Sequence, residues 1–178
     1  MCEKFWLRFA RRDDVKRLTE ASEKVMEDLK QQGKEDWYGG NDAEEFEEAI
    51  IGGEHTGCII AETKEGVIGY LVLNTHNEEI CHERFPEYPI GRGLCVDGMG
   101  VIPGYKGQGV LTEMLEFAEK CAEAKGKKYF YGTVFPQNYP SICIFARYTS
   151  QFRVSDETEN YEMKDGRTLI RKYFLAKI

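Results

Sequence analysis

The stretch VIPGYKGQGV, residues 101–110, decides how the chain is read. Gly104, Gly107 and Gly109 fall within six residues, directly after an apolar run and directly before a helical pattern. Glycine costs backbone entropy and adds no packing, so such a cluster implies a close approach to the backbone. Pro103 cannot donate to a sheet ladder and ends the strand before it. The helix begins near residues 109–111, where its first N–H groups lack intrahelical partners and the macrodipole is positive. A phosphate can sit at such an end, and Lys106 adds a positive charge. Two readings stay open from the residues alone: a phosphate cradle, or a tight strand-to-helix turn with no ligand. The order GxxGxG matches neither the GxxxxGK[ST] loop nor the GxGxxG fingerprint.

Working outward, Leu111, Met114, Leu115, Ala118 and Ala122 form one apolar stripe, predicting a helix over 111–125. Residues 94–101 and 127–135 read as strands on either side of it. Toward the N-terminus, 5–10 reads as a strand, and Asp13 or Asp14 is placed to cap a helix. That helix carries a stripe of Val15, Leu18, Ala21, Val25, Met26 and Leu29 and ends at Gly33. A second helix, 43–51, stops at Gly52-Gly53. Two strands follow with a turn at Lys64-Glu65-Gly66, and residues 76–93 read as irregular. Beyond 135, a short helix over 141–148 precedes two strands around the turn Lys164-Asp165-Gly166-Arg167. The order β-α-α-β-β-β-α-β-α-β-β predicts an α/β fold, a mixed and mostly antiparallel sheet flanked by helices, in a single domain over 1–178.

With 42% hydrophobic and 31% charged residues, the composition is that of an ordinary globular domain. The formal charge of -7 argues against nucleic acid as the main partner, and the acidic stretch over 42–54 permits a cationic one. Six cysteines, at 2, 58, 81, 95, 121 and 143, form no CxxC pair and have no histidine at zinc-ligand spacing. They read as reduced thiols in a cytoplasmic protein without a metal. No segment has the form of a signal peptide or the length of a membrane span, so no membrane partner is expected.

Two motifs in order carry a family resemblance. The first is Val101-Ile102-Pro103-Gly104-Tyr105 followed by Lys106-Gly107-Gln108-Gly109-Val110-Leu111. The second, beyond the next strand, is Asn138-Tyr139-Pro140-Ser141 with apolar Ile144 and then Phe145. Together with the closing hairpin they resemble the GNAT superfamily of N-acetyltransferases. Lys106 stands where the family has Arg or Gln, Leu111 where it has a small residue, and Phe145 where many members have tyrosine.

The resemblance implies acetyl-CoA as co-substrate, bound between two strands that splay apart. Backbone groups of Met99 and Val101 would hold its pantetheine arm, and the amides of Lys106, Gly107, Gln108, Gly109, Val110 and Leu111 its pyrophosphate. Asn138, with Ser141 in the same motif, would bond the arm or cap its helix. It further implies direct attack of an amine on the thioester, with a small-molecule or peptide amine as acceptor, and it leaves a homodimer open. Asp97, on the strand beside the cofactor, is the candidate base or else a surface carboxylate; Glu83, Glu87, His76 and His82 are alternatives. Tyr148, sharing a face with Phe145, is the candidate acid, with Tyr139 and Tyr131 in reserve. A catalytically silent acyl-CoA-binding sensor on the same fold is the other reading, and Phe145 favours it. A branched side chain at Gly109 is expected to block the phosphate site while leaving the ligand-free fold largely intact.

Overall fold

The strand leading into the glycine stretch, β4 (Gly93–Val101), runs through the middle of an eight-stranded sheet in the computed structural model, which describes residues 4–52, 56–149, 151–163 and 166–178. Before it come β1 (Trp6–Phe9), helices α1 (Val15–Gln31) and α2 (Ala43–Ile51), the hairpin β2 (Gly57–Thr63) and β3 (Gly66–Asn74), and α3 (Glu78–Arg84). After it come α4 (Val110–Ala124), β5 (Tyr129–Val134), α5 (Tyr139–Tyr148), β6 (Gln151–Val154), β7 (Glu159–Glu162) and β8 (Thr168–Lys177). The strand order is β1-β2-β3-β4-β5-β8-β6, with β7 also paired to β8. Among the described residues only β4 and β5 run parallel, joined across α4; every other pairing there is antiparallel.

Two elements depart from the sequence reading. The segment taken as irregular holds α3, which starts after Asn77 in a left-handed conformation (φ 58°) and buries Cys81. Residues 151–154 form an extra strand, β6. Cys2, Gly53 and the turn residues Lys164 and Asp165 lie outside the described residues. The five described cysteines are all free thiols.

Helices cover both faces of the sheet. On one, α4 and Phe145 of α5 pack onto Ile59, Leu71, Leu94, Val96, Phe130 and Phe174. On the other, Leu18, Ala21 and Val25 of α1 and Phe46 of α2 pack onto Cys58, Ile60, Tyr70 and Val72. Beside them, Cys81 of α3, Phe85 and Tyr88 pack onto Cys95, Tyr131, Tyr173 and Leu175. Asp42 caps α2 in a capping box with Glu45, and Gly33 at φ +65° ends α1.

Asp14 does not cap α1. Its carboxylate accepts from the Arg11 amide at 2.8 Å and joins an ion cluster between β1, α1 and β2. Arg8 forks onto Asp14 at 2.7 and 3.0 Å and reaches Glu62 at 2.6 Å, while Arg17 bridges the same two carboxylates. Asp14 and Glu62 are buried, and hydrogen bonds from Arg8 hold both carboxyls below their ordinary values of 3.8 and 4.5. Groups with depressed native pKa values stabilise the fold above their unfolded values and lose that contribution as pH falls. Asp14→Asn is therefore expected to cost about 2–3 kcal/mol at pH 7, as charged hydrogen bonds are lost. Urea melts at pH 7 and pH 3 check this: the gap between wild type and variant should narrow at the lower pH.

Candidate active site

β4 and β5 pair from Gly93–Tyr129 to Val96–Gly132 and then part, β4 staying with β3 and β5 with β8. At the parting β4 carries a bulge. Leu73 faces Val96 and Val72 faces Gly98, so Asp97 is the extra residue. Beyond the bulge the Ile102 amide donates to the Ile68 carbonyl at 3.0 Å. Because backbone groups alternate along a strand, Met99 and Val101 direct their N–H and C=O away from β3, into the gap. The cleft so formed is lined by Asp97, Gly98 and Met99 of β4, Thr133 and Val134 of β5, and Phe174 of β8. Trp37 and Tyr38 close one side, and Asn138, Ser141 and Phe145 of α5 the other.

At the end of β4 lies the glycine loop. Gly104, Gly107 and Gly109 have φ values of +92°, +75° and +82°, and a Cβ on any of them would meet nothing within 4 Å. It is thus the left-handed backbone that demands glycine, and the space above the loop is open. The first intrahelical bond of α4 runs from the Glu113 amide to the Gly109 carbonyl at 3.0 Å, so the amides of Val110, Leu111 and Thr112 precede the ladder. Gln108 Nε2 braces the loop on the Gly104 carbonyl at 2.6 Å, and Lys106 pairs with Asp28 of α1. An open amide-lined loop continuing a strand with free edge groups fits a ligand with a phosphate head and an extended polar arm.

Asp97 is exposed through the cleft yet crowded on its protein side, and that crowding raises its pKa above the ordinary 3.8. The charge of His76 and a hydrogen bond from Asn74 oppose the rise. Asn74 is itself buried and accepts from the His76 amide at 2.9 Å. On the same face, the 38–41 loop is held by a polar network. Tyr38 donates to Asn41 Oδ1, Tyr70 donates to Tyr38 at 3.1 Å, and the Asn41 amide donates to Ser22 Oγ at 3.0 Å. Burial pushes the Tyr38 hydroxyl well above its usual value and Tyr70 up to about 12. Gly98 leaves room for the Asn41 side chain, and a Cβ on Gly100 would lie 2.7 Å from the Tyr70 hydroxyl. Two β4 glycines therefore let the loop approach the strand.

Other sequence candidates fall elsewhere. The Tyr148 hydroxyl lies within hydrogen-bond reach of Glu119 and the Leu115 carbonyl on α4, away from the cleft-lining residues. Tyr139 is 64% exposed, and Tyr131 is buried with its hydroxyl on the His76 carbonyl. His82 contacts the Tyr88 carbonyl at 2.7 Å, Glu87 pairs with Arg153, and Glu83 stands on the exposed side of α3. Asn138 caps α5 by accepting from the Ser141 amide at 3.3 Å, and both residues also line the cleft. From the acidic stretch, Asp42 and Glu45 line a second cavity beside Glu23 rather than the cleft. Trp37, Tyr38 and Thr133 were not singled out by sequence; nothing in their spacing marks them.

A model of the acetyltransferase (GNAT) family matches residues 22–148. No curated protein gives a match. Among solved structures, the chain resembles the ribosomal-protein-S18-alanine N-acetyltransferase from Escherichia coli at 12% identity and a TM-score of 0.69, covering 98% of this chain and 94% of that one. It resembles yncA from Salmonella typhimurium, solved with its cofactor acetyl-CoA, at 17% identity and 0.61, covering 97% and 93%. It resembles diaminobutyrate acetyltransferase EctA from Paenibacillus lautus, solved with L-2,4-diaminobutyric acid and coenzyme A, at 20% identity and 0.65, covering 98% and 95%. Among the described residues, no cluster of His, Cys, Asp and Glu could hold a metal, and no helix is long and apolar enough to cross a membrane.

The left-handed φ of Gly109 adds a backbone cost to any side chain placed there, beside the expected block of the phosphate site. Gly109→Ala should cost about 1–2 kcal/mol through backbone strain alone, and Gly109→Val more. Denaturant melts of the ligand-free variants, compared with wild type, measure it.

Proposed function

The chain belongs to the acetyltransferase (GNAT) family, and we propose that it moves an acetyl group from acetyl-CoA to a primary amine of an acceptor by direct attack. The observation that carries this reading is the gap between β4 and β5, opened at the Asp97 bulge and ending in the open glycine loop. The relatives solved with acetyl-CoA, and with coenzyme A and an amine-bearing substrate, support it.

The amides of residues 106–111 are suited to the pyrophosphate, and the backbone groups of Met99 and Val101 to the extended arm. Acetyl-CoA supplies an activated acyl group. Asp97 is the group in the cleft able to accept a proton from an incoming ammonium, and its raised pKa brings it closer to that task. The Met99 N–H is a fixed donor for an oxygen that gains negative charge. The leaving thiolate is stable enough, with a reference thiol pKa of about 8.5, that a protein acid is not required. The sensor reading draws on one observation: Phe145, without a hydroxyl, lines the cleft, while the Tyr148 hydroxyl is engaged elsewhere. Thiol release in the presence of an amine panel supports the transferase; tight acetyl-CoA binding without turnover supports the sensor.

Acetyl-CoA at 100 times its Kd should stabilise the fold by about 2.7 kcal/mol through mass action, seen as a raised Tm. No shift at millimolar acetyl-CoA, with folded protein, would sink the cofactor assignment.

Asp97→Asn should lower turnover about 100- to 10,000-fold, with the loss shrinking at high pH where more amine is already neutral. In the wild type, kcat/KM should rise with pH through an apparent pKa above the ordinary carboxylate value. A carboxyl with a raised native pKa stabilises the fold only while protonated, and this contribution disappears as pH rises through that value. Asp97→Asn should therefore leave Tm unchanged or higher at pH 7. A structural carboxylate would instead lower Tm and spare the rate.

A further inference from the structure

Arg171 of β8 is a buried cation, 7% exposed, outside every ion pair among the described residues. Its Nη1 donates to the Asp36 carbonyl at 2.7 Å and the Ile170 carbonyl at 3.2 Å. Nε and Nη2 have no partner among the described residues. No side-chain nitrogen or oxygen among them is both sealed from solvent and unpartnered, so these two donors open onto space that solvent reaches. Glu159, opposite Arg171 in the β7 register, is taken by Arg84. Burial lowers the Arg171 pKa to about 10, against the charge of Asp36 and the influence of Tyr161, while Arg167 adds to the lowering.

The position matters as much as the missing partner. Tyr173 pairs with Thr133 of the cleft wall, and Arg171 is the next residue of β8 on that same face. The carbonyl it holds belongs to Asp36, directly before Trp37 and Tyr38, which form the side of the cleft. Nε and Nη2 form the edge of the guanidinium fork that takes both oxygens of a carboxylate, a geometry lysine cannot supply.

We propose that Arg171 is the docking point for a carboxylate of the acceptor, so that the acceptor is an amine that also bears a carboxylate, as an α-amino acid does. The identity of the acetylated amine rests on the transferase reading; the carboxylate contact does not.

The probes are three α-amino acids and the amines left when each loses its carboxylate: L-lysine and cadaverine, L-methionine and 3-(methylthio)propylamine, L-phenylalanine and phenethylamine. Each is titrated into the full chain saturated with coenzyme A, with Tm and calorimetry as readouts. At least one acid should bind ten times or more tightly than its matched amine. Arg171→Gln should erase that preference while keeping the acetyl-CoA Tm shift. Because Arg171 also holds the Asp36 carbonyl, Arg171→Lys is run beside it; it keeps the charge and three donors on a single nitrogen but lacks the fork, and it too should lose the preference. Equal binding within every pair, a preference that survives both substitutions, or an acetyl-CoA shift with no response to any probe overturns the proposal. An Arg171-dependent carboxylate preference without any acetyl-CoA shift upholds the subsite and refutes the transferase reading instead.

Discussion

The parting of β4 from β5 after the Val96–Gly132 pair is the constraint on which the rest of the site depends. A strand buried in a sheet must satisfy its backbone groups on both sides. β4 meets this with β3 from Cys95 to Val101 on one side, but with β5 on the other only from Gly93 to Val96. Its remaining groups face a cleft that α5 and the 37–38 segment wall off from either side. An edge in the middle of a sheet is ordinarily filled by another strand. Here the space is bordered by the edge groups of Met99 and Val101 and opens at the glycine loop, a shape complementary to an extended polar ligand.

The bulge that opens the gap also sets its chemistry. By adding Asp97 to β4 it places a carboxylate at the mouth of the parting, with Asn74 and His76 beside it. Across the face, Ser22, Tyr38, Asn41 and Tyr70 form a hydrogen-bonded cluster resting on Gly98 and Gly100. Satisfied buried polar networks are rigid, whereas a half-satisfied one would be costly. The loop beside Asp97 is thus fixed by its bonds to Ser22 and Tyr70.

Much of this was legible in the sequence because it is local. The apolar stripes of α1 and α4, the glycine breaks and the Pro103 stop depend on neighbouring residues, and they placed those elements within a residue or two. α3 was missed because seven residues with a left-handed start give too little periodicity to read, and its burial is decided by Tyr88 and Tyr131 packing nearby. β6 is four residues whose strand character comes from β8. Asp97 could be picked by its place before the loop. The Asp97 bulge, the Tyr38 network and the unpartnered donors of Arg171 could not, since each arises from residues far apart in the chain. Tyr148 shows the same limit from the other side: it follows Phe145 by three residues, yet its hydroxyl is engaged by α4 and not by the cleft.

β8 sits between β5 and β6, and the same strand and its approach touch the cleft's side at three points. Met163 lies against Gly39, Arg167 reaches the Glu35 carbonyl at 3.4 Å, and Arg171 holds that of Asp36. More than a hundred residues of chain separate the two partners in each contact. During synthesis from the N-terminus, helices α1 and α2 and the first four strands can form their hairpins early. The Ser22, Asn41 and Tyr70 bonds to the 38–41 loop are available early, but the contacts of residues 35, 36 and 39 with β8 and its approach, and Phe174 on the cleft wall, come only as the last part of the chain emerges.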